Sequence, residues 1–177
     1  MNRINNQSQT SGLSLLELLI YIAILAVLTL FIAGIFISIS RGRGASEARS
    51  EVNSNIRFAI EKISQDLRAA TSSAAINTPN STTTPTSVLN ITLGANTIEY
   101  ATTTAGQLRR SLDGSPENIT SDLVEVNSLS FKRLQNRNQI LGKDFISIEI
   151  NIGARYKSES PDWQYKENKK TTIGIRN

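Results

Sequence analysis

Glu17 is the single charged side chain between Leu13 and Ser40, in a run otherwise made of apolar, small and hydroxylated residues. A carboxylate in hydrocarbon costs about 2.5–3.5 kcal/mol even on insertion scales, so this position calls for a compensating group. A chain opened after Gly12 would supply one. The new α-ammonium of Leu13 would stand one helical turn before Glu17, and the opposite charges, on one chain or on neighbouring chains, would offset each other. A negative charge also suits the N-terminus of a helix. The plainer alternative is that Glu17 lies close enough to an interface to reach water. Other chemistry is poorly provided for. The chain has no His and no Cys, which removes thiol nucleophiles, disulfides, most zinc sites and the commonest general base. No paired acidic cluster or phosphate loop replaces them, and no base is in evidence beside any of the many Ser residues. The expectation is a protein that is not an enzyme and needs no metal, cofactor or small-molecule substrate.

The element that must position Glu17 is the apolar run itself. As a helix, Leu13 to Ser40 would extend about 42 Å at roughly 1.5 Å per residue, enough to cross a membrane. It exceeds the apolar region of a cleavable secretory signal, typically about 7–15 residues. Ser38 and Ser40, small residues at spacing two before Arg41, keep signal-peptidase cleavage open as a second possibility. The 177 residues suit one folded domain beyond that run. The formal net charge of +4 is spread along the chain. Only Lys166, Lys169 and Lys170 cluster, in what reads as a solvated turn, so no focused basic patch points to a nucleic-acid partner.

Ser11, Gly12, Leu13, Ser14, Leu15, Leu16, Glu17, Leu18, Leu19 and Ile20 together resemble the processing segment of type IV prepilins. In that family a short polar leader ends in Gly, the next residue is usually Phe, Glu follows four positions later, and a long apolar helix continues. The resemblance implies that the leader, Met1 to Gly12, is removed between Gly12 and Leu13 by a prepilin peptidase. It implies methylation of the amine exposed on Leu13 and an assembly role for Glu17. It also implies other minor and major pilins or pseudopilins as partners, and a single pass through the cytoplasmic (inner) membrane with the C-terminal domain outside the cytoplasm. Leu13 departs from the usual Phe, and Arg3 is the only charged side chain of the leader. Charge placement points to the opposite orientation: Arg41, Arg43 and Arg49 follow the apolar run, and positive-inside reasoning would keep that side in the cytoplasm. Ten contiguous positions in the right order carry more information than three charges.

Beyond the membrane run, Ala48, Val52, Ile56, Ala59, Ile63, Leu67 and Ala70 recur at intervals of three and four, the stripe of an amphipathic helix over 41–71. Phe58 falls off the stripe as an ordinary exposed aromatic. Gly34, Gly42 and Gly44 interrupt the helix, each costing up to about 1 kcal/mol relative to Ala, and leave room for local bending. Gly34 could serve as the flexible point, as a spot where neighbouring helices approach closely, or be tolerated without purpose. A Ser/Thr/Pro linker is expected over 72–87, with Pro79 and Pro85 unable to continue a helix. Asn80, Asn90 and Asn118 begin Asn-x-Ser/Thr triplets, a weak sign of glycosylation in a chain so rich in these residues. Over 88–177 the period becomes two: Leu89, Ile91 and Leu93; Ile98 and Tyr100; Val124 and Val126; Leu129 and Phe131; Ile146 to Ile152; and finally Ile173 and Ile175. Turns are expected at Gly94 to Asn96, Thr104 to Gly106 and Asp113 to Pro116. The predicted fold is α+β: a long N-terminal α-helix packed on an antiparallel β-sheet domain. Trp163 and Tyr165 sit in a polar hairpin, Ser158 to Lys170, where anchoring the hairpin to its own sheet outweighs a recognition role.

This layout is similar to the J-type minor pseudopilins of type II secretion, with Gln107 to Gly114 and Thr171 to Asn177 resembling strand endings of that family. The expected function is a processed subunit assembled into, or priming, a type II secretion pseudopilus or a type IV pilus. The alternatives are an uncleaved, membrane-anchored extracytoplasmic binding domain and a DNA-uptake or adhesive minor pilin.

Overall fold

The computed structural model of the chain describes residues 14–70, 75–139 and 142–175. Helix α1 covers Leu15–Ala69 and is followed by β1 (Ile76–Thr78), β2 (Leu89–Leu93), β3 (Asn96–Thr102), β4 (Leu108–Leu112), β5 (Ser115–Asn118), β6 (Val124–Asn138), β7 (Lys143–Tyr156), a single 3-10 turn (Pro161–Trp163) and β8 (Lys166–Gly174). The chain divides into two compact units, up to Gly42 and from Arg43 onward.

In the first unit the α1 side chains are exposed all round, Leu15, Leu19, Leu30, Phe31 and Phe36 each by more than 60 %. Mean hydropathy reaches 2.9 in its most apolar stretch, and by length and composition the helix is able to cross a membrane. A helix that is apolar on every face has to bury itself in something other than one core. Thr29, a polar residue in this run, returns its hydroxyl to the carbonyls of Leu25 and Ala26 at 2.9 and 2.8 Å, which satisfies the group within the helix.

In the second unit α1 continues to Ala69, and the residues of the expected stripe, from Ala48 to Leu67, are fully buried, as is Ala70. From Val52 onward they share one core with alternate residues of two antiparallel sheets: Leu89, Ile91, Ile98, Tyr100 and Leu108 from the first, Phe131, Ile148, Ile150 and Ile152 from the second. The fold is therefore α+β, a long helix packed on antiparallel sheets. The β-sheet domain comprises two sheets: a five-stranded meander in the order β1 to β5 and a three-stranded meander β6-β7-β8. Thr86 joins them, exchanging backbone hydrogen bonds with Phe131 of β6 at 2.9 and 2.7 Å.

Several local expectations are corrected. Val124, Val126, Leu129 and Phe131 belong to one strand, not two; a bulge between Val126 and Ser128 shifts the register, so the inward face changes from even to odd positions along β6. The segment read as linker contains β1, which pairs with β2 through Ile76↔Ile91. Residues Lys166, Lys169 and Lys170 lie in β8, the edge of the three-stranded sheet, and not in a turn. Lysines on an edge strand discourage pairing with further strands, and Lys170 also reaches Glu149 at 3.0 Å. Ile175 falls just past β8, buried, with its N–H donating to the Ile146 carbonyl at 2.9 Å. The turns fall where Gly permits them: Gly94 has φ 63° between the paired Leu93 and Asn96, a conformation that costs Gly nothing.

Candidate functional site

Glu17 lies in the first turn of α1. Tyr21, four residues on and so on the same face, donates its hydroxyl to Glu17 Oε1 at 3.3 Å, with both side chains exposed. That is long for an O–H···O bond, whose usual range is about 2.5–3.0 Å, so the contact orients the carboxylate more than it neutralises it. A cation is still the stronger partner on offer. Gly12 and Leu13 lie outside the described residues. Tyr21 was missed in the sequence because a lone Tyr in an apolar run looks like bulk; the i, i+4 spacing to Glu17 was the available signal.

The second feature is the way the β7–β8 connection grips α1. The Trp163 ring lies over Gly44, where a Cβ would stand 2.8 Å from the ring's Cε2 and Nε1. Gly44 is thus a seat for an aromatic ring, and Gly34, Gly42 and Gly44 all carry helical backbone within α1. Tyr156 of β7 packs on Trp163 with ring centroids 5.7 Å apart. The Arg49 guanidinium stands 5.3 Å from the centre of the Tyr165 ring, a cation–π arrangement. The Tyr165 hydroxyl donates to Glu167 at 2.8 Å. Trp163 and Tyr165 thus fasten the hairpin to its own sheet, as expected, through Tyr156 and the Tyr156 N–H to Tyr165 carbonyl bond at 2.9 Å, and to the helix as well. Beside them opens a groove of about 670 Å³ lined by Tyr156, Lys157, Gln164, Tyr165 and Lys166, with Glu125 and Arg155 paired at its side at 2.8 Å.

Two polar clamps hold the rest of the helix to the sheets, and neither was legible in the sequence. Asp66 of α1 accepts from the Tyr100 hydroxyl at 2.6 Å and from Arg110 Nε at 2.8 Å. Burial and this carboxylate push the Tyr100 phenol far above its ordinary range, so it remains a neutral donor. The hydrogen bond to Asp66 likewise raises Arg110. One turn from the stripe's start, Glu51 accepts from Ser121 Oγ at 2.8 Å and from Asn55 Nδ2 at 3.0 Å, while Asn55 Oδ1 accepts from the Ser121 N–H at 2.8 Å. These partners are separated by 34 to 70 residues, and spacing arguments do not reach that far. Among the described residues no group of three or more acidic side chains could hold a metal ion.

No family model matches this chain, and comparison with curated proteins and with solved structures gives no match. What the structure defines is an α+β protein with one long N-terminal helix, apolar on all faces in its first part and one-sided in its second.

Proposed function

We propose that this chain is a minor pilin or pseudopilin subunit, cut between Gly12 and Leu13 and assembled into, or priming, a type II secretion pseudopilus or type IV pilus. The observation that carries it is Glu17: one carboxylate in the first turn of α1, the single charge of the apolar run that ends at Ser40, at the spacing from Gly12 that the prepilin segment has. In this mechanism apolar helices pack side by side, and Glu17 meets the α-ammonium of a neighbouring subunit in a site that excludes water. A head-to-tail contact of that kind does not close on itself and so extends a fibre. The chain performs no catalytic step of its own. Its partners are the prepilin peptidase and other pilins or pseudopilins, and it begins as a single-pass protein of the inner membrane.

The test is N-terminal sequencing of membrane-extracted protein from cells with and without a prepilin peptidase. A start at Leu13 that depends on the peptidase is expected. In a Glu17→Val variant the same start is expected with the subunit missing from sheared filaments. A start at Met1 in both strains would instead mean an uncleaved, anchored binding domain, and a start at Arg41 a secreted one.

A further inference from the structure

Trp163 is the only tryptophan in the chain, and it is placed on α1 and outside the apolar core shared by the sheets. Half-buried against Gly44 and Tyr156, it keeps part of its ring accessible. Its seat on the helix comes four residues after Ser40, where the apolar run gives way to Arg41 and Arg43. Whatever the disposition of the two units, four residues tie Gly44 to Ser40. Even a fully extended chain would allow only about 14 Å. The headgroup layer on each side of a bilayer extends about 5–8 Å beyond a hydrocarbon core of about 30 Å, so the tether keeps the seat within reach of it. Trp and Tyr concentrate in that layer, where an apolar ring and a polar edge are both accommodated.

The exposed charges of the segments that meet here are mixed in sign: Arg43, Arg49, Arg155, Lys157 and Lys166 against Glu47, Glu159 and Asp162. A surface made for anionic lipid would carry one sign. A layer containing both phosphate and ammonium groups accepts both, and the groove beside Tyr156 and Tyr165 is open to it. We propose that the β7–β8 connection, led by Trp163, is a membrane-surface contact that docks the folded unit on zwitterionic phospholipid headgroups. The contact rests on α1 crossing the membrane, and it holds for either orientation of the chain.

The single tryptophan makes the test clean. Full-length protein is reconstituted into vesicles of phosphatidylcholine and phosphatidylethanolamine, its association is checked by flotation, and its tryptophan emission is measured with nitroxide labels on the headgroup or deep in the acyl chain. The expected result is loss of most Trp163 emission with the headgroup label, much less with the deep label, and no change on adding salt. Gly44→Leu, which takes the place of the ring on α1, is expected to reduce that quenching while flotation persists. Protein that floats but is quenched by neither lipid label overturns the contact and leaves the membrane span standing. Protein that does not float overturns both. Quenching that requires anionic lipid and low salt overturns the assignment to zwitterionic headgroups.

Discussion

At the scale of single residues, the clamp around Asp66 carries the most concentrated electrostatic risk in the folded unit. Asp66 and Arg110 are each only 13 % exposed, so neither charge has water as a ready substitute partner. Asp66→Ala leaves the Arg110 guanidinium and the Tyr100 hydroxyl stranded, which for a buried pair costs about 3–5 kcal/mol. Chemical denaturation of the variant is expected to show a loss of that order. Replacing both charges, as Asp66→Ala with Arg110→Met, is expected to recover part of it, because a buried pair removed as a whole is often near neutral. Tyr100 sets a pH limit with a definite sign. Its folded phenol is raised by burial and by the Asp66 carboxylate, whereas an unfolded tyrosine ionises near pH 10. The neutral form therefore stabilises the fold fully below about pH 10, and that contribution is lost as pH rises above it. Thermal melts of the wild type are expected to fall more steeply above pH 10 than those of Tyr100→Phe. A parallel decline in the two would remove Tyr100 from the account.

At the scale of elements, the glycines of α1 separate propensity from packing. Ala in place of Gly in a helix interior gains about 1 kcal/mol, and at Gly42 nothing lies within 4 Å of the added Cβ. At Gly44 the same methyl group meets the Trp163 ring at 2.8 Å, and overpacking of that kind costs about 1–3 kcal/mol. Gly42→Ala is therefore expected to hold or raise the melting temperature and Gly44→Ala to lower it. Equal shifts would mean that the hairpin does not grip the helix. The contrast also marks what could be read in advance. The buried stripe from Ala48 to Ala70 and the inward faces of β2, β3 and β7 follow from period alone, because each is a local consequence of helix or strand geometry. The role of Gly44 was hidden because its partner is far away in sequence, and a glycine at the end of an apolar run looks the same whether it bends or receives a ring. The continuity of β6 was hidden for a related reason. The bulge in β6 changes parity without leaving the strand, so the valines at 124 and 126 and Phe131 looked like separate elements. The clamps at Asp66 and Ser121 use residue types that also suit a solvated helix face, and only the fold brings their partners together. Of the candidate site, Glu17 and its spacing from Gly12 were visible from the start, while Tyr21 was not.

At the scale of the whole molecule, the two units differ in what they ask of their surroundings. In the unit beginning at Arg43, Phe58, Leu112, Leu123 and Phe145 are the large apolar side chains more than a third exposed among the described residues. Scattered exposure of this kind is ordinary for a soluble protein. Its core draws on α1 only from Val52 onward, and the hairpin seat begins at Gly44. Everything that holds this unit together therefore lies within it. A fragment starting at Arg43 is expected to be soluble without detergent and to melt cooperatively. A fragment starting at Val52 keeps the core but removes Gly44, Arg49 and Glu51, so Trp163, Tyr165 and Ser121 lose their helix partners. Losing the bond between Ser121 and a charged partner alone costs about 1.5–3 kcal/mol, and the shorter fragment is expected to melt at a lower temperature while still melting in one transition. The comparison is made by circular dichroism on the two purified fragments. Aggregation of the longer fragment would show that the apolar part of α1 contributes to the stability of the folded unit.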